Sequence, residues 1–261
     1  MLWNASAING YSISASDGHI GTISDVLFDD ATWHVRWLVV ETGNWLSGRK
    51  VLLPSTALAH FNQEHEECLV KLTIQQIKDS PDVDSEIPVS RQMEAGVFGY
   101  YGYSPYWEYG YLGGIGFLGG SPFAGELAGA VPDLPGSRSK KQTVDADQSH
   151  DDVHLRSVKA VTHYDIHASD GMIGHVEDFL VQDADWSIGY LVVDTKYWWP
   201  GKKVLISPRS VKAIDWSSRL VKLDADRQTV KGAPAYDTSM TIGQAYEDKL
   251  LGYYGIAPVD A

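Results

Sequence analysis

Two stretches, HVRWLVVET (34–42) and SIGYLVVDT (187–195), each contain four consecutive apolar positions, Trp37–Val40 and Tyr190–Val193. β-Branched and aromatic residues dominate them, and Gly, Ser and Asp clusters bound them, so both are predicted strands. Val35, Trp37 and Val39 share one face and Leu38 and Val40 the other; Ile188, Tyr190 and Val192 stand against Leu191 and Val193 in the same way. A strand wet on one side would alternate apolar with polar. These two do not, so each is expected to be covered on both faces, by a barrel interior on one and a lid on the other. The lid is expected from a C-terminal helix or from a second barrel. TIQQIKD and DADRQTVKG read as single helical turns that stop before Pro81 and Pro234. A longer amphipathic helix is predicted near 91–101 and again near 242–254. Thr241 and Gln244 have capping-box spacing there, and Ile242, Tyr246, Leu250 and Tyr253 make an apolar stripe. Gly96 and Gly99 weaken the first of these helices.

The similarity of the two strands extends along the chain. Positions 14–52 align with 167–205 without a gap and share 20 identities in 39 positions. LVKL recurs at Leu69 and Leu220, IKDSPDVD answers VKGAPAYD, and FGYYGYSP answers LGYYGIAP. Matching LVKL with LVKL requires small length changes between Val51 and Ile77. Each copy then runs for about 95 residues, from Tyr11 to Pro105 and from Tyr164 to Pro258, too few units for a solenoid. The predicted organisation is a first unit over 1–105, a linker over 106–153 that is Gly-rich and then polar, and a second unit over 154–261. The phrase SDG, present in both copies, is turn chemistry: Asp17 and Asp170 are expected to accept from their own downstream backbone, and Gly18 and Gly171 tolerate positive φ. Gly21 and Gly174 follow inside a strand-like run, where a bend or bulge is expected.

In this order, Asp17-Gly18, Gly21, Asp25, Leu27, Asp30 and Trp33, then LVVxTxxW and GxKVL, and their counterparts from Asp170 onward, resemble the PRC-barrel family. The same barrel occurs in the cytoplasmic domain of the photosynthetic reaction-centre H subunit and at the C-terminus of a ribosome maturation factor. The resemblance implies a mainly β chain with two small PRC-type β-barrels, each with a C-terminal helical extension; the doubly apolar strand and the duplication lead to the expectation that they pack as a pseudo-two-fold pair. The resemblance also implies a role in protein interaction. The H subunit carries a membrane helix before its barrel, and the ribosome factor has one barrel beside a different domain. Neither role transfers directly.

Charge narrows the function classes. The net charge is −13, with 6 Lys/Arg against 13 Asp/Glu in residues 1–105 and 12 against 14 in residues 154–261. An acidic chain repels phosphate backbones, so DNA is not an expected partner and RNA a poor one. The weakly charged stretch 110–131 contains eight glycines, Pro122 and Glu126, so no transmembrane segment is expected. Cys68 is the only cysteine, and a cytoplasmic setting is expected.

Candidate chemistry is sparse. His150, His154, His163 and His167 near Asp151, Asp152, Asp165 and Asp170 match no established metal-ligand spacing, and Asp29/Asp30 and Asp183/Asp185 lack the glycine and terminal glutamate of a calcium loop. Asp25 with Asp178 and Glu41 with Asp194 are carboxylates shared by both copies, read as hydrogen-bonding residues of turns and barrel rims rather than as acid–base pairs. Cys68, aligned with Arg219, has no catalytic partner. No enzyme, metal or cofactor is expected. The expected interaction surface is Trp45, Arg49 and Lys50 with Trp198, Trp199, Lys202 and Lys203, in loops after the main strands, since Trp and Arg are enriched at binding hot spots. Lys202, Lys203, Arg209, Lys212, Arg219 and Lys222 form a basic set in the second copy. The expected function is a non-enzymatic assembly module with a protein partner. Alternatives are a small-molecule or anionic-surface binding module and a ribosome-associated adaptor.

Overall fold

The computed structural model describes residues 2–46, 48–62, 64–81, 91–103, 155–195, 201–237 and 242–254. In the first part of the chain the elements are β1 (Leu2–Asn4), β2 (Ser12–Ala15), β3 (Gly18–Asp29), β4 (His34–Glu41), β5 (Lys50–Pro54), β6 (Leu58–Asn62), β7 (Glu67–Val70), α1 (Ile74–Lys78) and α2 (Arg91–Tyr101). After the linker come β8 (Leu155–Ser157), α3 (Val158–Val161), β9 (Asp165–Ala168), β10 (Gly171–Gln182), β11 (Ile188–Asp194) and β12 (Lys203–Ile206). They are followed by β13 (Val211–Asp215), β14 (Leu220–Leu223), α4 (Arg227–Gly232), β15 (Ala235–Tyr236) and α5 (Gln244–Tyr254). The described structure is mainly β. The chain separates into two compact units, Met1–Pro88 with His154–Ala261, and Val89–Val153. Of the second unit, α2 is the described element.

The first unit holds two sheets, in the orders β5-β4-β3-β2-β7-β6 and β13-β14-β9-β10-β11-β12-β15. Neither closes into a barrel, contrary to the sequence expectation. β5 and β6 are consecutive yet lie at opposite ends of their path, separated by the 3-10 turn Ser55–Ala57. Pro54 and Pro208 sit at this corner in the two halves, where a missing amide donor works against continuing a ladder.

The spacing between equivalent elements is constant. β2 pairs with β7 as Ile13↔Cys68, and β9 with β14 as Ile166↔Val221, an offset of 153 on both strands. The helix caps Thr73 and Asp226 keep the same offset, as do α2 and α5. The length changes expected between Val51 and Ile77 are therefore absent. Leu69–Leu72 does not occupy the place of Leu220–Leu223: Cys68 stands where the second half has Val221, not Arg219. A slip of two residues in a strand preserves which face each side chain takes, which is why the two LVKL words matched so well.

One strand of each sheet comes from the other half. β1 pairs with β10 through Leu2↔Gln182, Trp3↔Val181 and Asn4↔Leu180. β8 pairs with β3 through Leu155↔Asp29, Arg156↔Phe28 and Ser157↔Leu27. Between these exchanged strands the two hairpin ends meet directly: the Val35 amide donates to the Trp186 carbonyl at 2.8 Å, the Ile188 amide donates to the Trp33 carbonyl at 2.7 Å, and His34 and Ser187 form an antiparallel bridge. Phe28 and Phe179, both fully buried, pack across this seam at 5.4 Å.

The doubly apolar strand behaves as its pattern requires. Leu191 and Val193 point inward, while Tyr190 and Val192 join Leu180, Leu205 and Tyr236 in an outer cluster closed by Leu250 of α5. Leu2, Ile242, Tyr246 and Tyr254 pack against its margin. The apolar stripe thus runs through Tyr254, whereas Tyr253 turns aside and its hydroxyl donates to the Thr229 carbonyl at 2.6 Å. Burial, with Glu247 and Tyr246 nearby, pushes the Tyr190 hydroxyl up to about 12. Thr241, half of the expected capping box, lies outside the described residues.

Candidate interaction surface

The basic residues of the two expected docking loops are held by the fold. Arg49, just before β5, donates from its guanidinium to the Lys78 carbonyl at 3.1 Å and also to the Ser80 carbonyl. Lys202, its counterpart before β12, donates from Nζ to the Lys231 carbonyl at 2.6 Å and the Ala233 carbonyl at 2.7 Å. Both cations thus satisfy carbonyls left over at the end of a short helix, α1 or α4, where positive charge is also favoured by the helix dipole. Burial lowers the Lys202 pKa. Lys203 Nζ lies 2.5 Å from Glu177 Oε1, and Lys50 Nζ lies 3.8 Å from Glu41 Oε1. The side chain of Trp45, and Trp198 and Trp199 entirely, lie outside the described part of the structure.

The SDG turns reach farther than their own loop. Asp17 Oδ1 accepts from the Ile74 amide and Asp170 Oδ1 from the Arg227 amide, both at 2.8 Å. Each aspartate therefore binds the start of α1 or α4, 57 residues downstream, instead of its own backbone. Gly18 and Gly171 take φ of 152° and 143° in these turns. Gly21 and Gly174 answer a closer constraint. A Cβ on Gly21 would lie 2.0 Å from the Glu41 carbonyl oxygen, and one on Gly174 1.9 Å from that of Asp194. The ladders beside them shift register, opposite Ile13/Ser14 and at Met172/Gly174.

The shared carboxylates Asp25 and Asp178 hold the exchanged segments. Asp178, 6% exposed, accepts from the Ser6 amide at 3.0 Å, the Ser6 hydroxyl at 2.5 Å and the Phe179 amide at 2.7 Å. Asp25 accepts from the Ser157 hydroxyl at 2.5 Å, the Lys159 amide at 3.3 Å and the Val26 amide at 2.7 Å. Burial raises the Asp178 pKa despite the bonds from Ser6 and Phe179. Nearby, Trp3 stacks on Phe61 at 5.3 Å, meets Trp186 edge-on at 5.3 Å, and Phe61 stacks on Tyr11. On the other side of the seam Arg156 takes the place of Trp3. Its Nε donates to Asp30 at 2.9 Å and its guanidinium lies 3.9 Å over Trp216.

His163 and His175 stack in parallel with centroids 5.9 Å apart, and among the described residues no three His, Cys, Asp or Glu side chains gather as metal ligands. Cys68 is fully buried, and burial with the Glu67 carboxylate pushes its thiol up to about 12.

A model of the PRC-barrel domain matches residues 4–73. This segment belongs to the PRC-barrel family. The matched stretch begins at the end of β1 and finishes at Thr73, the cap of α1, so the PRC-barrel segment includes six of the strands and the Asp25 anchor described above. No curated protein matches the chain. Among the described residues no helix is long and apolar enough to cross a membrane.

β1 and β8 begin nine residues ahead of Tyr11 and Tyr164, where the evident repeat starts, so the exchange lies outside the repeated stretch. A signal was present: Leu2/Leu155, Ala5/Val158, Ala7/Ala160 and Ile8/Val161 keep the 153-residue spacing and the apolar pattern.

Proposed function

We propose that this chain is a non-enzymatic assembly module made of two PRC-type halves, each an open sheet, the second a diverged copy of the first, packed as a pseudo-two-fold pair. The observation that carries the reading is the use made of Asp25 and Asp178. These carboxylates, the best acid–base candidates in the sequence, each bind a hydroxyl and an amide from the other half's exchanged segment. Their lone pairs serve cohesion. Arg49 and Lys202 serve it too, at the ends of α1 and α4. The PRC-barrel match supports a protein-interaction role, and the pair would act as a rigid platform whose outer surface meets a partner.

The test is affinity capture with the tagged full-length protein beside a Trp45/Trp198/Trp199→Ala variant. Stoichiometric recovery of a protein partner supports the module, and its loss from the variant places the contact on the loops after β4 and β11. Recovery of nothing beyond a tag-only control overturns the reading.

A further inference from the structure

Among the described residues each sheet ends on a strand with one side unpaired, β6 in the first half and β13 in the second. An open edge is a template for another strand, and a protein commonly selects what it accepts there by charge. The two edge hairpins hold equivalent positions and opposite charge. The β6–β7 hairpin, 58–70, carries Glu64, Glu66 and Glu67 and no lysine or arginine. The β13–β14 hairpin, 211–223, carries Lys212, Arg219 and Lys222 against the single Asp215. Asp215 is turned to its own loop, accepting from the Ser217 amide and hydroxyl and the Ser218 amide. Arg219 stands at the position of Glu66, both with positive φ in matching turns, and Lys222 at that of Leu69. Glu64, Glu66, Lys212, Arg219 and Lys222 are all exposed, and none of the five forms an ion pair among the described residues.

We propose that copies of this chain associate head to tail, the acidic β6–β7 hairpin of one against the basic β13–β14 hairpin of the next. Like-with-like pairing of edges sets lysine against lysine or glutamate against glutamate, which charge disfavours. Only the heterologous pairing brings opposite signs together, and it leaves one acidic and one basic edge free at the ends of every open assembly. Such contacts grow into chains or close into rings. The inference deepens the assembly reading by naming one partner, a second copy.

Sedimentation velocity on the pure full-length protein tests it, over a concentration series near 0.1 M ionic strength. There the screening length is about 10 Å, so facing hairpins attract while the wider negative charge is damped. Mass-dependent association that disappears near 1 M salt, where screening shortens to about 3 Å, is expected. A Glu64→Lys/Glu66→Lys variant has two basic edges and a Lys212→Glu/Lys222→Glu variant two acidic ones. Each alone should lose self-association roughly tenfold or more, and an equimolar mixture should co-assemble with the two variants in equal proportion. Wild type that stays monomeric throughout the series overturns the proposal, as does either folded variant associating like wild type, or a mixture with no complex. Circular dichroism checks the fold, and if one variant misfolds the salt series and the other variant still decide. Failure here shows in the purified protein alone, whereas failure of the module reading shows in the capture experiment.

Discussion

At the scale of single residues, the twin glycines and the twin aspartates perform the same service in each half. Gly21→Ala or Gly174→Ala drives a methyl into a carbonyl oxygen that the β3–β4 or β10–β11 ladder holds in place. Each substitution should cost about 1–3 kcal/mol, read as a lowered midpoint in urea unfolding; an unchanged midpoint would mean the strands part freely. Asp178 separates charge from hydrogen bonding. Asp178→Ala leaves the Ser6 and Phe179 donors without an acceptor in a buried place and should cost about 1–3 kcal/mol. Asp178→Asn keeps an acceptor for both amides and removes a buried charge, so it should be milder at neutral pH. The folded pKa is raised, so the folded state binds this proton more tightly than the unfolded chain does. The stability contributed here is full below the ordinary carboxyl range and falls as pH rises through the raised value. Unfolding midpoints between pH 3 and 7 should lose that slope in the Asn variant; an identical slope would assign it to another group. Asp17, Gly18 and Gly21 were visible in the sequence as turn and bulge residues. The donors that Asp17 and Asp170 serve were not, because a contact 57 residues away leaves no trace in local spacing.

At the scale of elements, the exchanged strands are the principal finding. β1 has three residues and makes one short ladder, so its hold on β10 depends on Trp3, which is 5% exposed between Phe61 and Trp186. Trp3→Ala should cost about 3–5 kcal/mol and, because the ring bridges the halves, should broaden or shift amide resonances of β10 as well as those of β6. Perturbation confined to residues near Phe61 would show that the seam does not depend on this ring. The apolar pattern of β4 and β11 foretold cover on both faces, an interior on one and a lid on the other, and α5 supplies the lid on β11. Pattern also tied α5 to its sheet, missing only that the stripe ends at Tyr254. Strand exchange lies beyond such reading. A three-residue strand has no period to detect, and pairing with the other half instead of its own is a choice made by topology, to which alternation of side chains is blind. The LVKL words show the complementary hazard: local identity outvoted a constant spacing that the whole repeat obeys.

For the whole molecule, cohesion should survive cutting of the linker. With a protease site placed within 137–152, cleavage should leave two fragments that co-elute on size exclusion and separate only in denaturant. Each fragment carries a strand, and a hydroxyl–carboxylate bond, that belongs to the other. Fragments that part in native buffer would refute the pseudo-two-fold pair. The exchange also imposes an order on synthesis. β1 leaves the ribosome before every other described element, yet its ladder partners, Leu180 to Gln182, are made roughly eighty residues after α2 ends. At about 5–20 residues/s that is some 4–16 s, during which Trp3 has no Trp186 to meet and the β3 edge stands open until β8 arrives. The nascent first half is thus a strand donor awaiting its acceptor, and any second nascent chain close by on the same message could supply one.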